Sequence, residues 1–245
     1  MAKEKSIKIK FRLKTDESLA NAIRRSVNEI PTLAVDEVEF FKNDSALHDE
    51  MVAHRIGLIP LKNEKLKLSR NCSCKGEGCS KCETKSKLVK KGPAVVYSQD
   101  MSGFDVPYHN IPITILDKDQ ELEVSAVAKM GLGIEHVKHS PGALFYKNLK
   151  EIKTGSNGKL IAEILSNCPN KCDNGEKIEN NKSYVLNICD ACEESLEKNE
   201  IKISDSDELM FSVETFGQMD TEDIFPEAVE VLKENLEMVS KELKK

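Results

Sequence analysis

The sequence contains no tryptophan, and its other aromatic residues, eight Phe and four Tyr, make up only 5% of the 245 residues. With charged residues at 32% and apolar residues at 39%, this composition predicts several small hydrophobic cores rather than one large core. No stretch of eighteen apolar residues occurs, which argues against a membrane-spanning helix. The N-terminal segment MAKEKSIKIKFRL lacks the apolar region of a secretory signal. We therefore expect a cytoplasmic protein with no membrane partner.

Acidic residues outnumber basic ones, 42 against 36, but positive charge is concentrated in one segment. The net charge is −6, whereas residues 62–91 contain ten Lys or Arg against three Glu. An acidic chain is a poor general binder of nucleic acid, so we expect little or no direct contact with DNA or RNA. We interpret the basic segment as a solvated loop around a metal, and contact with nucleic acid or with an acidic partner is the alternative.

Disulfides are not expected among the eight cysteines, because a cytoplasmic compartment keeps thiols reduced. Four of them form a C-x-C-x4-C-x2-C array in which Gly76 and Gly78 let the backbone turn between ligand pairs. Four thiolates in so short and hydrophilic a loop predict a structural zinc site, and a redox-active dithiol is the alternative. The predicted zinc ligands are Cys72, Cys74, Cys79 and Cys82.

The other four cysteines form two pairs with the spacing C-x3-C-x16-C-x2-C, and they are Cys168, Cys172, Cys189 and Cys192. Two well-separated pairs suit zinc, but the spacing alone leaves the metal open. The surrounding segment, about 150–209, is polar and rich in Asn, Lys and Glu. We expect the metal to stabilise a small domain that has too few apolar residues for a core of its own.

Two amphipathic helices are predicted near the ends of the chain. Thr15 or Asp16 can cap the first helix, which carries one apolar face and ends before Pro31. The second follows Asp220 or Thr221 and has apolar residues at alternating steps of four and three, which is the heptad pattern of a coiled coil. Such a helix packs either inside its own domain or against another subunit.

Between these helices the pattern is mostly that of β-strands. A helix is predicted from Asp44 or Ser45 to Gly57, followed by a short apolar strand at Leu58–Leu61. The acidic run Asp205–Glu208 is predicted to be a loop. Alternating or apolar segments predict further strands at 93–98, 111–116, 120–131 and 208–219.

Two histidines, His136 and His139, lie only three residues apart. A metal site is one interpretation of this pair. We favour a structural role for both side chains.

Three segments, LANAIRRS, IPTLAVDEVEF and DEMVAHRIGLIPL, follow one another between Leu19 and Leu61. In their order and spacing they closely resemble the D subunit of archaeal RNA polymerase, a family related to the bacterial alpha subunit and to the third-largest subunit of eukaryotic polymerase II. The resemblance implies an α+β fold with a discontinuous dimerisation domain formed by 1–41 and 209–245. It also implies an inserted, mainly β second domain at 42–150, with the cysteine loop 72–82, and a ferredoxin-like domain at 151–208.

Many members of the family carry an iron–sulfur cluster in that ferredoxin-like domain. The resemblance includes Cys168 with Pro169 and the pair Cys189 and Cys192, but Ser195 stands where a further cysteine is expected. We expect Cys172 to take its place. The resemblance therefore implies an iron–sulfur cluster or a second zinc at this quartet. The eukaryotic relatives also have a cysteine loop at the position of the first quartet.

The function implied by the resemblance is that of a non-catalytic assembly platform. Such a subunit pairs with the L subunit through its first and last helices, seats the large catalytic subunits and meets small polymerase subunits. No aspartate cluster that could hold the catalytic magnesium is evident in the sequence. The implied interface residues are Leu19, Ile23, Val27, Phe225, Val229, Leu232, Leu236, Val239 and Leu243. A ferredoxin-like electron carrier and a zinc-ribbon nucleic-acid-binding protein are the alternatives.

Overall fold

The computed structural model describes residues 7–62, 79, 83–170, 172–173 and 178–244. The strands are β1 (Lys8–Lys14), β2 (Thr32–Asn43), β3 (Glu83–Lys91), β4 (Ala94–Tyr97), β5 (Pro112–Leu116), β6 (Glu121–Gly131), β7 (Gly142–Lys153), β8 (Ser183–Leu186) and β9 (Ile203–Thr215). The α-helices are α1 (Glu17–Ser26), α2 (Asp49–Gly57), α3 (Gly158–Ser166), α4 (Asp190–Lys198) and α5 (Thr221–Glu242), and short 3-10 helices lie at Val27–Glu29, Ser98–Asp100 and Val137–His139. The fold is thus mixed α+β with several sheets, as predicted.

The chain divides into two compact units. The first contains Met1–Ile9, Ile23–Leu144 and Val213–Lys245, and the second contains Lys10–Ala22 and Phe145–Ser212. The three-domain division stays a prediction.

Strand β6 is the centre of the first unit's three-stranded sheet, whose order is β2-β6-β3, and it runs antiparallel to both neighbours. Leu122, Val124, Ala126 and Ala128 are buried and alternate with half-exposed residues, which confirms the predicted period of two. The two-stranded sheet β4-β5 and helix α2 add to the same core. The largest fully buried side chains here are Leu33, Ile56, Ile59, Leu61, Leu88, Ile113, Leu116 and Leu122.

The segment around helix α2 corrects two predictions. The helix begins at Asp49 and not at Asp44 or Ser45. The side chain of Asn43 bonds to Ser45, Leu47 and Asp49, which holds residues 43–48 in a turn outside the helix. Leu58–Leu61 is not a strand, although two of its side chains are buried. The apolar run Leu58–Leu61 correctly indicated buried side chains. Burial of side chains does not require that the backbone pairs with a neighbouring strand, so the strand prediction was wrong.

Strand β3 corrects the interpretation of 62–91 as a loop throughout, because its last nine residues pair with β6 along their whole length. Ser86 and Leu88 are buried. Two lysines of β3 instead meet acidic side chains: Lys87 contacts Glu123 at 2.7 Å, and Lys90 contacts Asp100 at 2.6 Å. This part of the basic segment is therefore a paired strand whose positive charge is partly neutralised.

Helix α1 starts as predicted, because the backbone N–H of Leu19 donates to the carboxylate of Asp16 at 2.8 Å. The 3-10 helix Val27–Glu29 extends it toward Pro31. Helix α5, which begins directly after Asp220, packs against this 3-10 helix. Asn235 also donates to Glu29 at 2.7 Å.

The second unit contains most of each strand of a four-stranded sheet with the order β1-β9-β7-β8, together with α3 and α4. Asp205–Glu208, predicted to be a loop, lies within β9. The unit also has an apolar core, contrary to the expectation from its polar composition, because a few well-spaced side chains converge. The core contains Ile152, Ile161, Leu165, Ile188, Leu196 and Ile201.

Candidate metal centre and interface helix

Two helix ends bring the second cysteine quartet together. Ile161 and Leu165 lie one turn apart on α3 and bury it in the core, so that Cys168 follows at its C-terminal end. Cys189 is the residue that precedes α4, and Cys192 lies in the first turn of α4, one turn before the buried Leu196. Because α3 and α4 pack together, the two cysteine pairs face each other.

The four sulfur atoms form a compact cluster in which all lie within 4.8 Å of one another. Cys168 Sγ is 3.2 Å from Cys172 Sγ and 3.5 Å from Cys189 Sγ, and Cys172 Sγ is 3.7 Å from Cys192 Sγ. Thiolates at such separations can all reach one metal ion. The prediction that these four cysteines converge is confirmed. Cys172 takes the fourth position, as expected.

Ser195 does not belong to the cluster. Its hydroxyl donates to the carbonyl oxygen of Ala191 at 2.8 Å, one turn back along α4. At the position where the family pattern expects a cysteine, the Ser195 hydroxyl therefore makes a hydrogen bond within α4.

Burial and hydrogen bonding act differently on the four thiols. The backbone N–H of Cys192 and the side chain of Asn170 stabilise the Cys189 thiolate and lower its pKa to about 6. The hydrogen bond with Cys172 lowers the pKa of Cys168. Burial raises the pKa of Cys172 to about 11 and also raises that of Cys192. The site thus has two readily ionised and two buried thiols, and a bound cation would favour the thiolate form of all four.

Hydrogen bonds of the neighbouring Asp173, together with one to its own sulfur, hold Cys172 in place. Cys172 is the candidate ligand for which the sequence pattern gave the least support. The adjacent Asp173 accepts from Arg12 at 2.7 Å and from the backbone N–H of Asn187 at 2.8 Å. Arg12 also donates to the carbonyl oxygen of Val185 in β8 at 3.0 Å. Cys172 Sγ itself accepts from the backbone N–H of Cys189 at 3.1 Å. Such outer contacts orient ligands in metal sites.

The first cysteine quartet falls mostly outside the described residues. Cys72, Cys74 and Cys82 lie there, and Cys79 is the member that the structure describes, with its carbonyl oxygen accepting from the backbone N–H of Glu83 at 2.9 Å. The zinc site at this quartet stays a prediction. Of the two histidines, His139 is buried and its Nδ1 lies 2.7 Å from the carbonyl oxygen of Thr32, which fits the structural role that we favoured.

The predicted interface residues fall into three groups by exposure. Ile23 and Val27 are buried in the chain's own core, so they are not available to a partner in this conformation. Leu19 is half-exposed, and Phe225, Val229 and Leu232 are partly buried. The C-terminal part of α5 is open, with exposed fractions of 61% for Leu236, 56% for Val239 and 83% for Leu243.

The sequence profile of the RNA polymerase Rpb3/RpoA insert domain matches residues 30–145. This segment contains the β2-β6-β3 sheet and its core. Over this segment the chain is similar to RNA polymerase subunits of the Rpb3/RpoA class.

Curated relatives extend the similarity over almost the whole chain. DNA-directed RNA polymerase subunit Rpo3 of Archaeoglobus fulgidus is 33% identical over 97% of this chain and 94% of its own length. The Rpo3 subunit of Pyrococcus horikoshii is 34% identical over 98% of both chains, and that of Methanothermobacter thermautotrophicus is 35% identical over 89% and 88%. The chain belongs to the Rpo3 family of DNA-directed RNA polymerase subunits.

Membership of this family makes the chain an assembly subunit of the multisubunit DNA-directed RNA polymerase, with other polymerase subunits as partners. The electron-carrier and nucleic-acid-binding alternatives are not favoured, because they rest on the cysteines and the basic segment alone. In the part of the chain that the structure describes, no helix is both long enough and apolar enough to cross a membrane.

Proposed function

We propose that this subunit is a non-catalytic assembly platform that forms a heterodimer with the small L subunit and then seats the large catalytic subunits. In this proposal Rpo3 corresponds to the D subunit that the sequence resembles. The observation that carries it is the outer face of α5, where apolar residues at heptad spacing are exposed.

Helix α5 has two distinct apolar faces. Ile224 and Ala228 are buried against the first unit. At about 100° per residue, the heptad seam lies roughly 80° around the helix from that buried face. We define the seam as Phe225, Val229, Leu232, Leu236, Val239 and Leu243. The chain therefore anchors α5 with one face and leaves the C-terminal half of the seam exposed.

The exposed seam is unfavourable for an isolated chain. Fully burying a Leu or Val side chain stabilises a protein by about 1.5–3 kcal/mol, so pairing of the seam with an apolar helix would gain several kcal/mol. A seam with alternating steps of four and three suits the packing of side chains between two helices. These features support an obligate helical partner.

We also propose that both cysteine quartets hold metal ions as structural supports and take no part in electron transfer. For the second quartet, support comes from the convergence of four sulfurs inside the core of a small unit. For the first quartet, support comes from the spacing of Cys72, Cys74, Cys79 and Cys82, for which zinc is the proposed ion.

The heterodimer can be tested by co-expression with the L subunit of the same organism. Leu236→Asp and Val239→Asp should each reduce the yield of co-purified heterodimer at least about tenfold, because each places an unpaired charge in an apolar contact. The measurement is the ratio of the two subunits after affinity purification on this chain.

Met238 provides a matched control on the same helix. It is 58% exposed, close to the 56% of Val239. It nevertheless points about 140° away from the centre of the seam. Met238→Asp should therefore leave the heterodimer yield unchanged. Normal yield with both Leu236 and Val239 charged would rule out the seam as the interface.

A further inference from the structure

We infer that the second cysteine quartet holds one tetrahedral zinc ion and not the iron–sulfur cluster that the family resemblance implies. The candidate ligands are Cys168, Cys172, Cys189 and Cys192. The inference concerns the identity of the ion and does not depend on the partner proposed above.

The separations between the sulfurs match the size of a single-ion site. With zinc–sulfur bonds of about 2.3 Å, the sulfurs of a tetrahedral site are about 3.8 Å apart. The three closest pairs here are separated by 3.2, 3.5 and 3.7 Å, and no pair exceeds 4.8 Å. One ion can therefore bind all four with small adjustments of the side chains.

An iron–sulfur cluster requires a wider arrangement. Its cysteines bind different irons, and sulfides lie between those irons, so that some cysteine sulfurs must be further apart than the edge of a single-ion tetrahedron. Widening this quartet would separate α3 from α4. Ile161, Leu165, Ile188 and Leu196 are almost fully buried there, and protein cores pack too densely to yield such space freely.

The set of candidate ligands also favours a single-ion site over an iron–sulfur cluster. Ser195, where the ferredoxin-like pattern expects a cysteine, bonds to Ala191 within α4. Cys172 occupies the fourth position, and Asp173 beside it is held by Arg12. The quartet is thus completed by a residue anchored close to the other three.

Among single ions, the donor set selects zinc. Tetrahedral sites with four thiolates are typical of zinc or iron, and zinc binds a given site more tightly than ferrous iron. Zinc also has no redox chemistry, which suits an ion within the core of a small unit.

The test is metal and sulfide analysis of the full-length chain, purified anaerobically. The variant Cys79→Ser/Cys82→Ser is measured alongside, because it removes the predicted first zinc site and leaves the second quartet intact. We expect this variant to contain one zinc per chain, no iron and no acid-labile sulfide, and to be colourless. Iron at this quartet, with or without sulfide, would overturn the inference.

Two further variants test the ligand assignment. Adding Cys172→Ser to that background should lower the zinc content from one per chain to well below one, whereas Ser195→Cys should leave it unchanged. If Cys172→Ser fails to accumulate, the zinc content of the parent variant still decides the identity of the ion. Full zinc retention in Cys172→Ser would overturn the ligand set. Heterodimer yield is recorded separately, so failure of the platform proposal would be distinguishable.

Discussion

His139 is buried beside β2, and its ring nitrogen Nδ1 lies 2.7 Å from the carbonyl oxygen of Thr32. Because a carbonyl oxygen can only accept, Nδ1 must carry a proton and donate it. Burial lowers the pKa of His139 below its ordinary value of 6.5, and the nearby Lys138 acts in the same direction, against the hydrogen bond to Thr32. The neutral ring is therefore the form that the fold favours.

This preference predicts a pH dependence of stability. Above about pH 6.5 the ring is neutral in both folded and unfolded chains; as pH falls, the unfolded chain binds the proton first, and the free energy of unfolding decreases. His139→Gln, whose amide can still donate to Thr32, should reduce the loss between about pH 7.5 and pH 5.5. The free energy of unfolding, obtained from urea unfolding at both pH values, measures this loss.

His109→Gln is the control, because that ring is exposed and lies outside this helix. It should keep the pH dependence of the unmodified chain. An unchanged pH dependence in His139→Gln as well would show that His139 does not contribute to it.

At the scale of elements, the 3-10 helix Val137–His139 packs closely on the end of β6. A Cβ atom at Gly131 would lie 2.5 Å from Nε2 of His139, and Gly131 pairs with Thr32, whose carbonyl holds the same ring. The ring cannot move away without losing that bond. Glycine is required at position 131 because any side chain would collide with the His139 ring, and not because the backbone there needs a positive φ.

Gly131→Ala should therefore lower the free energy of unfolding by about 1–3 kcal/mol, as expected for an overpacked core. Gly57→Ala is the control, since the nearest atom, the carbonyl oxygen of Val35, would be 4.0 Å away. In the last turn of α2, alanine should be neutral or stabilising by up to about 1 kcal/mol. Urea unfolding measures both effects, as shifts of the transition midpoint at an unchanged slope m. If the midpoint of Gly131→Ala equals that of the unmodified chain, the close contact with His139 is contradicted.

Elements with a long, regular pattern could be predicted from sequence. The alternation in β6 and the spacing in α5 repeat over many residues, so that a single residue that departs from the pattern does not hide it. Strand β3 was missed because its lysines suggested a solvated loop, yet they belong to a strand that pairs with β6, and three of them, Lys85, Lys87 and Lys91, lie on its exposed face. Leu58–Leu61 was assigned wrongly because burial of a short apolar run does not require backbone pairing.

At the scale of the whole molecule, the sequence could identify the second cysteine quartet but not its dimensions. Spacing places Cys168 and Cys189 in separate pairs, and the separation of the pairs depends on how α3 and α4 pack. The sequence likewise could not predict that Ile23 and Val27 would be buried in the chain's own core while the C-terminal half of the α5 seam stays exposed. Both outcomes depend on tertiary packing, which local pattern does not encode.

The two units have separate apolar cores, and the candidate metal site belongs to the second. Without a cation, the buried thiols of Cys172 and Cys192 favour the neutral form, and the two cysteine pairs are then joined only by weak hydrogen bonds to sulfur and by the packing of a small core. We therefore expect removal of the ion by a chelator to open α3 and α4 locally. Their amide hydrogen exchange should accelerate by roughly a hundredfold or more, on the scale of local unfolding.

Exchange in β2, β6 and β3 should stay unchanged, because those strands protect one another through their own ladder and core. Readdition of zinc should restore slow exchange in Gly158–Ser166 and Asp190–Lys198. The measurement is hydrogen–deuterium exchange with mass spectrometry on the heterodimer, before and after chelation, with metal content verified in each sample. Slow exchange retained in both helices of verified metal-free protein would show that the apolar core, and not the ion, stabilises the second unit.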